Sequence, residues 1–249
     1  MRGNRTGGLR IIALAIWLLA FAAPAVRADE LACSVPDGLA FGGFSLPRSK
    51  SQVMADKPLV VLAIGGASMG GLAAGGRAYS VPMRLETRLQ EALPGHDIAV
   101  ASRAIEGGAH EVADQMAASI RGTGASLVIW ETGSRAAVAG DDPEMFGTSL
   151  ESGIDAAQHA KADIILMDLQ YAPSIARVMN LTRYIDVIRG AAEMEGIPLL
   201  HRFDLMHAWS DSGELDLDAE NAAERVKVAR KLYDCLAVTL ATGIAGALR

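Results

Sequence analysis

Leu59-Val60-Val61-Leu62-Ala63-Ile64-Gly65-Gly66-Ala67-Ser68-Met69-Gly70-Gly71 is the stretch that decides the fold. Its first six residues are apolar without interruption, which suits a strand covered on both faces rather than one with a wet side. Gly65 and Gly66 then end the strand and open a glycine-rich loop. Runs of the same kind return at Asp97–Ala101, Ser126–Trp130, Asp163–Met167 and Ile197–Leu200. Between them, helical patterns are predicted near 82–93, 110–121, 143–161, 174–195 and 221–247. Strand and helix alternating in this way imply right-handed crossovers. The expected architecture is α/β, a three-layer αβα sandwich around a five-stranded parallel sheet. No internal repeat or low-complexity tract divides it, so residues 29–249 are expected to form one domain.

The first residues set the address. Arg2, Arg5 and Arg10 precede the apolar run Ile11 to Ala23, whose 13 residues fall short of a membrane span of about 20 but suit a signal-peptide core. Pro24 breaks that run, and Val26-Arg27-Ala28 offers a cleavage site after Ala28, so residues 1–28 read as a signal peptide. An uncleaved anchor is the competing reading. Export to the periplasm or beyond is the expectation, with no membrane span left in the mature chain.

Cleavage would leave 221 residues, enough for one well-buried core, with 19 basic against 29 acidic side chains. That balance argues against nucleic acid or an anionic membrane surface as partner, since both recruit a cationic face. Two cysteines remain, Cys33 near the new N-terminus and Cys235 in the last predicted helix. In an oxidising compartment such a pair suggests a disulfide, two free buried thiols being the alternative. Neither the cysteines nor the five histidines show a metal-ligand spacing, and no cofactor motif is present.

In a parallel sheet of this kind, function sits on the loops leaving the carboxyl ends of the strands, here 65–78, 102–110, 131–142, 168–174 and 201–218. The first of these, Gly65-Gly66-Ala67-Ser68-Met69-Gly70-Gly71, contains no lysine and so is no P-loop, and its match to a dinucleotide fingerprint is loose.

Taken together, the loops resemble those of the SGNH or GDSL ester hydrolases, over nearly all of residues 58–247, which implies a flavodoxin-like SGNH-hydrolase fold. In that family a G-D-S segment after the first strand carries the nucleophile. A glycine after the second strand and an asparagine in a G-x-N segment after the third form the oxyanion hole. A D-x-x-H pair ahead of the last helix supplies acid and base. Ile105-Glu106-Gly107-Gly108 fits the second block, Val128 to Ser134 the approach to the third, and Ile164 to Pro173 the fourth strand and its exit.

The catalytic positions match much less well. With Gly65 and Gly71 as the two glycines of G-D-S-x-x-x-G, Ala67 stands at the nucleophile position and Ser68 just after it. A shift by one makes Ser68 the nucleophile but loses the second glycine. Arg135 replaces the asparagine, and Glu224-Arg225-Val226-Lys227 lies roughly where D-x-x-H belongs; Gly107 is retained. Loss of nucleophile, oxyanion donor and base together points to a degenerate hydrolase that binds a glycan or a protein partner. The alternative is an active serine esterase or deacylase on acylated carbohydrate or small esters. There Ser68 would be nucleophile, His207 base, Asp204 its orienting acid and Gly107 an oxyanion donor, since Asp204-Leu205-Met206-His207 is a literal D-x-x-H. A packed loop or short helix is the plainer reading of that segment. Arg135, with Gly107, would put a fixed cation in the pocket for a carboxylate or sulfate; pairing with Asp141 or Asp142 is the plainer reading.

Overall fold

The five apolar runs become five strands in a computed structural model of the chain, which describes Met1, Gly3 and residues 33–249. The expected signal peptide therefore lies outside the described residues apart from those two positions. The strands are β1 (Leu59–Gly65), β2 (Ile98–Ala104), β3 (Leu127–Glu131), β4 (Asp163–Met167) and β5 (Leu199–Leu200). All pair in parallel, in the order β2-β1-β3-β4-β5. β5 is two residues shorter than expected because Pro198 has no N–H to give to a ladder. Its carbonyl still accepts Leu166 N–H at 2.9 Å.

Ten α-helices are described: α1 (Pro47–Met54), α2 (Ala67–Gly70), α3 (Val81–Ala92), α4 (Ala109–Thr123), α5 (Ser134–Ala139), α6 (Pro143–His159), α7 (Pro173–Ala176), α8 (Thr182–Glu195), α9 (Arg202–Asp211) and α10 (Ala222–Leu248). The helix expected over 174–195 is two helices. Asn180 intervenes, its side-chain oxygen accepting Thr182 N–H at 3.1 Å in the turn that precedes the second. α10 starts on a side-chain cap, with Asn221 accepting from Ala223 and Glu224 N–H.

Alternation along the strands sends successive side chains to opposite faces. Val61, Ala63, Ile129, Ile165 and Met167 pack with Leu85 and Leu89 of α3 and Leu236 and Leu240 of α10. Leu62, Ile64, Val128, Trp130 and Leu166 pack with Met116 of α4, Leu150 of α6 and Ile188 of α8. Two cores, one on each face, explain why the inner strands β1, β3 and β4 are covered on both faces, whereas the edge strand β2 is partly exposed.

Leu31–Arg249 is one compact unit. A Cys33–Cys235 disulfide, with Cα atoms 5.4 Å apart, ties the start of the described segment to the middle of α10. Among the described residues, α10 alone is long and apolar enough to cross a membrane, yet 72% of that stretch is buried inside the fold. Its apolarity is that of a core helix.

From β1 the chain moves outward to β2, then returns to the other side of β1 to form β3. The strand order reverses there, and a crevice opens between the loops that leave these strands.

Candidate functional site

A cavity of about 850 Å³ occupies that crevice, within the range of small-molecule sites. It is lined by three of the loops singled out in the sequence, around Gly65–Leu72, Ala104–Val112 and Trp130–Ala139, with Phe146 and Gln170 closing the side.

The first loop turns directly into the short helix α2. Neighbouring residues on such a turn point about 100° apart. Ala67 lies exposed at the cavity, whereas Ser68, which also lines it, is only 2% exposed. The Ser68 hydroxyl donates to Glu131 Oε2 at 2.5 Å, and Gly66 N–H donates to the same oxygen at 3.3 Å. Glu131 Oε1 accepts Arg202 Nη1 at 2.7 Å, and the second guanidinium nitrogen, Nη2, donates to Ser134 Oγ at 3.2 Å. Ser134 Oγ also accepts Gln170 N–H at 2.9 Å, so this network joins the ends of β1, β3 and β4 to the start of α9.

Glu131 is the last residue of β3 and Arg202 the first of α9, and both are buried. Burial pushes the Glu131 carboxyl up, but the Arg202 charge and the hydrogen bonds from Ser68, Arg202 and Gly66 outweigh it and hold the group below the usual carboxylate range. Gly65 makes room for this arrangement: a Cβ there would stand 2.6 Å from Glu131 Cβ. Nothing in the sequence analysis singled out Glu131 or Arg202. The available signal was an acid ending one fully apolar strand and an arginine shortly after another, charges placed where only a partner makes burial tolerable.

Asp168, at the exit of β4, is fully buried. Its Oδ1 accepts Phe203 N–H at 2.8 Å, while Oδ2 has no partner among the described residues. Burial pushes its carboxyl up to about 7, against the opposing hydrogen bond from Phe203 and the charge of Arg202.

The structure does not bring Ser68, Asp204 and His207 together. Asp204 pairs with Arg189 Nη2 at 2.5 Å, and His207, about half exposed, faces Asp211 Oδ2 at 3.4 Å and packs on Tyr171. Neither lines the cavity, and Asp204-Leu205-Met206-His207 is one turn of α9, in line with the plainer reading. On a helix the i and i+3 side chains share a face, but here each has taken a different partner. His201 stands half buried, with Nδ1 4.0 Å from Asp204 Oδ2 and without a hydrogen bond. His110 is exposed beside Asp114.

Glu224 and Lys227 also need correction. They lie inside α10, paired with each other at 3.0 Å, and the segment just ahead of that helix, Asp216-Leu217-Asp218-Ala219, holds no histidine. Gly107 lies where it was expected, lining the cavity with φ +129°, and a Cβ there would strike Glu111 Cγ at 2.7 Å. Arg135 lines the same cavity, is exposed, and makes no ion pair with Asp141, Asp142 or any other acid among the described residues.

No histidine or cysteine lines the cavity, and among the described residues no group of acids, histidines and cysteines is placed to hold a metal. The remaining lining is largely apolar: Leu72, Ile105, Val112, Trp130, Val138 and Phe146.

A parallel sheet ordered 2-1-3-4-5, with its cleft at the β1–β3 reversal, is the SGNH/GDSL-hydrolase architecture. The chain belongs to the Non-GDSL lipase-like family, which matches it over residues 32–249. Among solved structures it is similar to the lipase/acylhydrolase of Enterococcus faecalis, at 15% identity over 76% of this chain and 96% of that one, TM-score 0.60. It is similar too to the esterase EstA of Pseudoalteromonas sp. (17% identity, 71% and 96% covered, TM-score 0.53) and to the SGNH-hydrolase esterase AlinE4 (20%, 66% and 85%, TM-score 0.54). At these identities the likeness is one of fold. No curated protein matches the chain.

Proposed function

We propose that this is an exported SGNH-hydrolase-like protein that has lost ester hydrolysis and uses the cleft to bind an acidic ligand. The observation that carries this is the pairing at the first loop: the only serine hydroxyl there is 2% exposed and committed to Glu131, while the exposed residue beside it is Ala67. A serine attacks an ester only when a base within hydrogen-bond reach takes its proton and the oxygen can reach the carbonyl. Glu131 is within reach, but Arg202 and two further donors hold it as the carboxylate, a weak base, and the hydroxyl it would activate is buried against it. Arg135, an exposed cation lining the cavity without a close ion pair among the described residues, supports the choice of an acidic ligand.

Hydrolysis of p-nitrophenyl acetate and butyrate by the folded mature protein, compared with Ser68→Ala, tests the loss of activity. The expected result is background turnover from both. Turnover above background that disappears in Ser68→Ala would establish an esterase and sink this reading.

A further inference from the structure

We infer that the protein carries an anion site separate from the cleft, built from Arg84 and Arg230 around the ring of Tyr79, and that its ligand is a phosphomonoester group. The site lies where the segment between α2 and α3 meets α10, and none of its three side chains lines the cleft. Two short 3-10 turns, Leu72–Ala74 and Arg77–Tyr79, shape that segment. Arg230, two turns into α10, reaches across to it. Its Nε donates to the Ala74 carbonyl at 2.9 Å, and its guanidinium carbon lies 3.7 Å from the centre of the Tyr79 ring. Arg84, in the first turn of α3, stands 5.2 Å from the same centre. Gly75 makes room for Arg230: its φ is +87°, and a Cβ there would stand 3.1 Å from Nη2.

These charges are unmatched. The chain carries a net charge of −6, yet neither arginine has an acid partner among the described residues. The acids beside them are already engaged. Asp234, one turn along α10, holds Arg88 through both oxygens at 3.0 and 2.8 Å, and Glu86 Oε2 accepts Val100 N–H at 2.8 Å. Arg84 Nε is buried without a hydrogen bond. A guanidinium held over an aromatic ring keeps its in-plane N–H groups free for an oxyanion. Two fixed positive charges match a phosphomonoester, with a charge of about −1.5 to −2 at neutral pH, better than a carboxylate with one. Its three terminal oxygens also accept from donors on several sides, as two separate guanidiniums require, whereas a carboxylate accepts in one plane.

Amide chemical shifts of the isotope-labelled mature protein, titrated with glycerol 3-phosphate or inorganic phosphate at constant ionic strength, test the assignment. Shifts are expected along residues 72–84 and 226–231, and not along the cleft loops 104–112 and 131–139. Acetate and dimethyl phosphate, with one charge each, should bind at least about tenfold more weakly. By calorimetry, Arg84→Gln and Arg230→Gln should each weaken glycerol 3-phosphate about tenfold, whereas Arg121→Gln, the same charge change on exposed α4 surface, should leave it unchanged. An ester bound more tightly than inorganic phosphate identifies a phosphorylated molecule as the source of the group, and the reverse identifies the free ion; both support the site. Four results would overturn it: no binding of either probe by the unaltered protein, shifts confined to the cleft loops, loss in Arg135→Gln but not in Arg84→Gln, or equal loss in Arg121→Gln. The shift map is read on the unaltered protein, so a variant that fails to fold does not spare the proposal.

Discussion

Ser68 and Glu131 are joined by a 2.5 Å hydrogen bond at the first loop, and the same carboxylate meets Arg202 at 2.7 Å through its other oxygen. In a working serine hydrolase the hydroxyl at this turn must face substrate. Here it fastens α2 to the end of β3, which makes the bond a brace for the cleft's floor. The cleft keeps its shape through the buried pair, and the pair in turn depends on every one of its polar partners.

Breaking that pair from one side should be costly. Glu131→Gln leaves a guanidinium at 1% exposure without a counter-charge, for which about 3–5 kcal/mol of destabilisation is expected. Glu131→Gln with Arg202→Met removes both charges and should regain a large part of that loss. Urea midpoints of the three proteins measure it. A double variant no more stable than Glu131→Gln alone would show that the charge is not the origin of the cost.

Gly153 predicts a different kind of loss. It lies in α6 against the six-membered ring of Trp130, and a Cβ there would come within 2.4 Å of the ring. Trp130 is 1% exposed in a filled core and has nowhere to retreat. Helix propensity alone would make Gly153→Ala stabilising by about 1 kcal/mol. Overpacking should reverse the sign, giving a net loss of about 1–3 kcal/mol and a lower Tm. A raised Tm would mean the ring can shift.

Much of this architecture is visible in the sequence because both faces of the sheet are covered. Covered strands leave long apolar runs, so the five strands and the loops at their ends could be placed, and Gly107 and Arg135 fall in the cavity as the loop order implied. The Ser68–Glu131–Arg202 network was not visible, because it joins residues 63 and 71 positions apart and no local pattern reports a long-range pair. The partner of Ser68 was hidden for a related reason: loop spacing says which residues share a turn but not what each side chain bonds to. The last helix begins at the Asn221 cap, in line with the predicted span 221–247, and Glu224 and Lys227 sit inside it.

The Cys33–Cys235 bond closes a loop spanning 202 residues and pins the N-terminal segment to α10. Phe41 uses that position: its ring and carbonyl stand within 2.5 Å of where a Cβ on Gly243 would be. In the chain-entropy account, opening so long a loop should cost about 3–5 kcal/mol. Reduction, or Cys33→Ser with Cys235→Ser, is expected to lower the urea midpoint accordingly. An unchanged midpoint would mean that packing alone holds the segment.

Asp168 gives the fold a pH dependence of unusual sign. Its carboxyl titrates near 7 in the folded protein, raised first by burial, whereas an unfolded aspartate titrates at about 3.9. Between about pH 4 and 7 the native state therefore holds a proton that the unfolded chain has released, and this group's contribution to stability falls as pH rises. The loss is complete above about pH 7 and approaches 4 kcal/mol, at about 1.4 kcal/mol per pH unit. Glu131, held below its usual range, loses its contribution only at lower pH. His201, lowered by burial and then by Arg189, acts with the opposite sign as pH rises. Asp168→Asn keeps an oxygen for Phe203 N–H and removes the titration, so subtracting its stability curve from that of the unaltered protein isolates Asp168. The variant should gain on the unaltered protein steadily from about pH 4 to 7 and hold that gain above. A difference that stays flat across this window would place the Asp168 proton elsewhere.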